Sequence, residues 1–330
     1  MNLSFMDPGE LLAKALRGEK LFPDEAIHLC AEGDLPTMAA AARSMAGRVN
    51  PGGRVGYAIR QTVVYSNVCQ PNCPFCSGTV MLGDSAAFTR TADQVVAEVK
   101  DAVARGVGEI VLQGGHRIDL PWEYYTGLLR AIRAQFPAVV LYAYSPTEIM
   151  VFNVLYQKRT AQVIGELAEA GMTALLAGGS EAMPTRAPEY LALLRGPWAE
   201  WFDVVHRCAD VRIPVVAPFA FGFGETPRER VGHLYRVRAV QERTGQAGKP
   251  AIAALSVFSP SGAAPDEHLR MVALARVLVP GVPHVQSGVG AVEALQTGAD
   301  ELAVSLPATA AEVEGLIRAA GFAPYLRAGW

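Results

Sequence analysis

Apolar positions along this chain fall into two regimes. Over residues 1–53 they recur at helical spacing in short pieces, each opened by proline or acid. Leu11, Leu12, Ala15 and Leu16 follow Pro8-Gly9-Glu10, Ile27 and Leu29 follow Pro23-Asp24-Glu25, and an alanine-rich stretch follows Asp34-Leu35-Pro36-Thr37. Asn50-Pro51-Gly52-Gly53 then breaks the chain. From residue 54 a beat sets in. Short apolar runs occur at Val55–Val68, Glu109–Leu112, Val139–Tyr144, Ala174–Ala177, Pro214–Phe221, Ile252–Phe258, His284–Ser287 and Glu301–Leu306. Between and after them the periodicity predicts helices at Thr91–Arg105, Trp122–Ala134, Ala161–Ala170, Trp198–Asp210, Pro227–Thr244, Pro265–Leu278, Ala291–Thr297 and Ala308–Ala320. Gly106, Gly171, Gly245, Gly298 and Gly321 follow helices, where a left-handed residue closes the last turn.

Strands alternating with helices imply parallel βαβ units, and right-handed crossovers close eight of them most simply into an α/β fold of the (β/α)8 TIM-barrel type. An open doubly wound sheet is the alternative, but no strand carries its phosphate-binding glycine fingerprint. The expected organisation is an N-terminal helical extension over 1–53 and a barrel over 54–330. In such a barrel the chemistry sits where strands end. Cys69 follows the first run, Gln113-Gly114-Gly115-His116 the second and Ser145-Pro146 the third. Gly178-Gly179-Ser180-Glu181 follows the fourth, Gly222–Glu225 the fifth and Ser259-Pro260 the sixth.

Composition narrows the class. The 330 residues are 51% hydrophobic and 18% charged with a net charge of −3, against about 25% charged in a typical globular chain. That excludes a disordered chain, and a pI near 6.1 gives no basic footprint for a nucleic-acid partner. No apolar run reaches the ~18 residues a membrane span needs, and the first residues lack a signal-peptide pattern, so a cytoplasmic protein is expected.

Three of the five cysteines, Cys69, Cys73 and Cys76, lie within eight residues, as Cys-x3-Cys-x2-Cys. Clustered thiols in a cytoplasmic chain read as a metal site rather than a disulfide framework. Three thiolates are one short of the usual set for a four-iron cluster, which leaves one iron open. A zinc site completed by His116 is an alternative, although structural zinc normally shows two ligand pairs. An electron-transfer cluster with a distant fourth ligand is another. Cys30 and Cys208 fall in helical patterns, where cysteine is usually core filler.

The cysteine spacing at the end of a first strand, with Phe75 just before the third cysteine, resembles the radical S-adenosylmethionine (SAM) superfamily. The resemblance implies a 4Fe-4S cluster held by Cys69, Cys73 and Cys76, with SAM on the open iron. Reductive cleavage would then yield a 5′-deoxyadenosyl radical, with electrons from a flavodoxin- or ferredoxin-type donor. Within the superfamily, Tyr65-Ser66-Asn67-Val68-Cys69 and Gln113-Gly114-Gly115-His116 are similar to the futalosine-pathway and deazaflavin branch. Tyr142–Ile149 and Phe221–Arg230 are closest to its cyclic dehypoxanthinyl futalosine synthases. The resemblance implies SAM contacts at Gly114, Gly115, Gly179, Ser180 and Glu181, more weakly at Gly222, Gly224 and Glu225, and a packing role for Phe75.

The chain departs from that branch at Ser77–Val80, Pro260–Ala264, Gln286–Val289 and Ser305–Ala308, where relatives carry aromatic and acidic residues. The SAM side is kept and the substrate side is rebuilt. A small nucleoside-like or aromatic metabolite is expected as substrate, undergoing cyclisation or carbon–carbon bond formation in a diverged paralogue. A genuine futalosine cyclase, a radical amino-acid side-chain lyase and a non-catalytic iron–sulfur carrier are the alternatives. His116, Tyr142, Tyr144 and Ser145 are the candidate substrate residues. The two tyrosines, two apart on a strand, are expected to share a face. His206, His233 and His268, on helices, are expected to face solvent.

Overall fold

The computed structural model describes residues 7–70, 76, 78–178, 198–244, 250–260 and 262–330. Helices α1 (Pro8–Leu16), α2 (Pro23–Glu32) and α3 (Leu35–Val49) form first, each with proline in its opening turn. The side chains of Asp7 and Asp34 cap α1 and α3 by accepting from the Gly9 and Thr37 amides. The alternating part follows as β1 (Arg54–Ser66), α4 (Ala92–Ala104), β2 (Glu109–Gly114), α5 (Trp122–Gln135) and β3 (Val140–Ala143). Next come α6 (Pro146–Leu155), α7 (Thr160–Ala170), β4 (Leu175–Leu176), α8 (Trp198–Asp210), β5 (Val215–Ala220) and α9 (Pro227–Thr244). The chain ends with β6 (Ile252–Phe258), α10 (Pro265–Leu278), β7 (His284–Gly288), a 3-10 helix (Val289–Thr297), β8 (Glu301–Ser305), α11 (Ala310–Ala319) and β9 (Ala323–Leu326).

The strands run in the order β3-β2-β1-β8-β7-β6-β5-β4, all parallel, and a parallel bridge between Tyr142 and Ala174 brings β3 back to the start of β4. This nearly closed barrel of eight parallel strands is the expected (β/α)8 architecture. Gly106, Gly171, Gly298 and Gly321 take positive φ after their helices, and Gly245 lies outside the described residues. Three local expectations are corrected. Ser145 starts an unforeseen helix, α6, through a reciprocal cap with Glu148. The segment after β7 is 3-10 rather than α. A ninth strand pairs with the first four residues of β1.

Each strand has two different faces. Outward residues such as Ile59, Val63, Leu112, Leu255, Val285 and Val304 join the large core beneath the helices. Inward residues Val111, Val140, Tyr142, Ala174, Val216 and Ala254 form a separate small cluster inside the barrel. At the end where strands begin, inward charges close the barrel. Arg60 bonds Glu109, and Arg327 pairs with both Glu109 (2.6 Å) and Glu301 (3.0 Å). Tyr325 donates to Glu301 and Trp330 donates to the Tyr142 hydroxyl. Gly56 makes room for this, since a Cβ there would lie 1.9 Å from Glu301 Oε1.

The opposite end is open. Thr62, Gln113, Gly288 and Ser305 are exposed, and Phe258 is 42% exposed. Yet alternation with their core-facing neighbours turns them inward. Of the helical histidines, His233 is buried against Phe219 with Nε2 at 3.1 Å from the Pro218 carbonyl oxygen, and His268 is half-buried on Ser287. Their helices turn these polar rings toward the strands, so neither is the solvent-facing residue expected, and His206 is half-buried.

Candidate active site

At the open end the chain leaves β1 through a shift in register between Val64 and Ser66. Val68 then bridges to Val80 and the Cys69 amide donates to the Val80 carbonyl at 2.9 Å, which pins the base of the cysteine loop. The end of β2 crosses directly over this base. The Gly115 amide donates to the Ser66 carbonyl, the Gln70 amide to the His116 carbonyl, and the His116 amide to Cys69 Sγ at 3.4 Å. A Cβ at Gly114 would meet the Tyr65 ring at 2.3 Å, and one at Gly115 would meet the Val68 carbonyl oxygen at 1.9 Å. Gly115 is therefore required by the crossing of two backbones, and Gly114 by the Tyr65 ring packed against it. Cys69 is buried and Cys76 is exposed, while Cys73 and Phe75 lie outside the described residues.

Arg117, which the sequence reading passed over, holds the rim. Its guanidinium makes two 2.7 Å bonds to Asp119 and also bonds Ser66 and Thr89. The Asp119 hydrogen bond raises the Arg117 pKa, and the pair ties the segment after β2 to the end of β1. His116 itself is half-buried, and burial alone lowers its pKa, which favours a neutral imidazole.

Tyr142 and Tyr144 do not share a face. Tyr142 points inward and down, with its hydroxyl 3.2 Å from Glu109 at the sealed end. Tyr144 lies beyond the strand with φ +48°, a left-handed conformation that breaks alternation. Its ring enters an outer aromatic cluster with Tyr65, Tyr125 and Phe152, and its hydroxyl donates to the Tyr125 carbonyl. Ser145 caps α6, with hydroxyl and amide both bonded to Glu148 Oε2 at 2.8 Å.

Glu148 was also missed. It is buried, accepts from Tyr65 at 2.7 Å and from the Gly114 amide, and burial pushes its pKa up to about 7. On the far wall, Gly222 and Gly224 take positive φ, and Glu225 accepts from the Gly222 and Phe223 amides and from Arg230. Its carboxylate thus shapes that loop. Gly179, Ser180 and Glu181 lie outside the described residues.

Comparison with known proteins decides what this end of the barrel is. The model of the radical SAM superfamily matches residues 63–236. The chain belongs to the radical SAM superfamily. It is 28% identical over 286 residues to the cyclic dehypoxanthine futalosine synthase of Halalkalibacterium halodurans, covering 84% of this chain and 76% of that protein. It is 29% identical over 290 residues to the aminodeoxyfutalosine synthase of Thermus thermophilus, covering 83% and 76%. Among solved structures, methylornithine synthase superposes with a TM-score of 0.69 at 14% identity, covering 96% of this chain and 98% of that one, and shares the fold.

For a radical SAM enzyme the described donors suit an iron–sulfur cluster. A buried Cys69 with an amide aimed at its sulfur is built to stabilise a thiolate, because the N–H dipole favours the charged form. Cys30 and Cys208 are the opposite case. Burial pushes the Cys30 thiol up to about 11 and the Cys208 thiol higher still, so both are core residues. Among the described residues no helix is long and apolar enough to cross a membrane.

Proposed function

We propose that this radical SAM enzyme cleaves SAM reductively and abstracts hydrogen from a small nucleoside-like or aromatic metabolite, leading to cyclisation or carbon–carbon bond formation, as a diverged paralogue of the futalosine-pathway cyclases. The observation that carries the reading is the coincidence, at one barrel end, of a thiolate-stabilising Cys69 site with an open lumen. Cys69, Cys73 and Cys76 would hold a 4Fe-4S cluster that, loaded with SAM and reduced by a flavodoxin- or ferredoxin-type donor, supplies a 5′-deoxyadenosyl radical.

The chain's own residues do the rest. The backbone at Gly114 and Gly115 sets the wall beside Cys69; Gly179, Ser180, Glu181, Gly222 and Gly224 would contact SAM, with Glu225 fixing the loop of the last two. His116, at the rim, would serve the substrate as a neutral hydrogen-bonding or proton-accepting group. Ser145, at the α6 cap, orients the Glu148 carboxylate, while Tyr144 and Tyr142 support the wall and the floor. The substrate side carries Gly288 and Ser305 at exposed inward positions, in two of the four segments that depart from the futalosine branch.

The test is anaerobic turnover with SAM and dithionite. SAM cleavage with little or no cyclic product from dehypoxanthine futalosine supports a paralogue. Cyclic product formed as fast as 5′-deoxyadenosine restores the cyclase reading. No SAM cleavage at all leaves an iron–sulfur carrier. Glu181→Ala is expected to weaken SAM binding by roughly 1–3 kcal/mol with the cluster intact, read by calorimetry.

A further inference from the structure

Two fully or nearly buried glutamines in this chain have opposite fates. Gln241 is satisfied at both ends: its Nε2 donates to the Gly281 carbonyl and its Oε1 accepts from the Ile252 amide, both at 2.8 Å. Gln286 is 0% exposed, and neither its Nε2 nor its Oε1 has a hydrogen-bond partner. It lies in the middle of β7, in register with Ser256 of β6 and Glu301 of β8. Val285 packs into the outer core and Ser287 bonds His268 of α10, so both neighbours point outward and Gln286 points into the barrel. Glu301, in register with it, accepts from Tyr325 and Arg327 and makes no hydrogen bond with Gln286.

Leaving both ends of a carboxamide unpaired in a dry site is expensive, because each group loses its water without replacement. An apolar residue would serve the fold better. Directly above Gln286 on the same face is Gly288, which has no side chain and is exposed; its β8 register partner Ala303 is half-buried, and Ser305, two residues further along β8, and Phe258, at the end of β6, are exposed. The inward positions above this carboxamide thus carry no side chain at Gly288 and become exposed toward the open end, and the carboxamide is three rotatable bonds from its backbone.

We propose that Gln286 is the specificity-determining residue at the foot of the lumen, pairing with a substrate group that presents a ring N–H beside a carbonyl, as in a lactam or cyclic imide. The carboxamide supplies the matching acceptor and donor side by side. This assignment rests on the proposed lumen being the substrate site and not on the identity of the radical chemistry.

The experiment uses uracil as probe and 1,3-dimethyluracil as a control of similar shape without the N–H groups. Anaerobically reconstituted full-length protein with SAM is studied by saturation-transfer NMR, and melting is followed in parallel. Uracil is expected to bind and dimethyluracil at least tenfold more weakly. Gln286→Met is expected to abolish the difference while melting at the same temperature as wild type or higher, because it removes unpaired polar atoms. Absence of uracil binding, a preference for uracil over dimethyluracil that persists in Gln286→Met, or a Gln286→Met protein that melts several degrees lower would each overturn the proposal, the last by showing that Gln286 holds the fold. Wild-type SAM cleavage, measured separately, reports on the enzymatic reading, so the two failures are distinguishable.

Discussion

The two ends of this barrel handle polar groups in opposite ways. Where strands begin, Arg60, Glu109, Glu301 and Arg327 are buried but mutually paired, with Tyr142, Tyr325 and Trp330 taking remaining positions. Where strands end, a cysteine sulfur receives an amide and a buried glutamate has its pKa pushed up to about 7, and between the two ends, in mid-strand, Gln286 is buried without hydrogen-bond partners. The first end pairs its charges within the chain, although Nη1 and Nη2 of Arg327 make no well-formed hydrogen bond, Nη2 meeting Glu109 as an ion pair. The barrel thus uses its charges to close one end and leaves one buried carboxamide, Gln286, with no hydrogen-bond partner in the chain.

The contrast breaks most completely at the cysteines. Cys69→Ala is expected to abolish iron binding and SAM cleavage, against about four irons per wild-type chain after anaerobic reconstitution. Cys208→Ala should retain the iron; equal iron loss in both variants would remove Cys69 from the cluster. At the sealed end, Arg327→Met leaves Glu109 and Glu301 buried without their shared cation. Its expected cost is about 3–5 kcal/mol by chemical denaturation, the scale for breaking a buried pair from one side. A loss below 1 kcal/mol would show that this end does not carry the fold. Gly115→Ala forces a methyl into the Val68 carbonyl and should cost about 1–3 kcal/mol, with weakened iron retention as the distinguishing readout.

The smallest effect sharpens the comparison through pH. Glu148 binds its proton more tightly folded than unfolded, so between about 4.5 and about 7 the folded state holds the extra proton. Its contribution to stability therefore falls as pH rises through that window, by at most about 1.4 kcal/mol per pH unit. Glu148→Gln should remove that slope from the denaturation profile, measured as the difference from wild type across the window. An unchanged profile would mean that the carboxyl is ionised throughout.

Much of the architecture was legible because it depends on local order. The beat of β-branched runs and helical stretches predicted eight strands in their observed places, and the glycines closing helices marked their ends. The Cys-x3-Cys-x2-Cys spacing located the chemistry because one loop carries all three thiols. The α6 helix was hidden because Ser145-Pro146-Thr147-Glu148 reads equally as a strand end and as a capping box, and only the reciprocal bonds decide. The tyrosine pair misled because alternation holds only while the chain stays extended, and Tyr144 leaves it with positive φ.

What the sequence by itself determined is thus the (β/α)8 order, the cysteine loop and the family to which both belong. Tertiary structure alone decided which charged residues seal the barrel, that Gly115 serves a crossing of backbones and Gly114 the packing of Tyr65, and that Gln241 is satisfied while Gln286 is not. The physical reason is range. Helix starts, turns and cysteine spacing are set by residues a few positions apart, whereas Arg327 and Glu109 are distant in sequence and meet only because the barrel closes on itself.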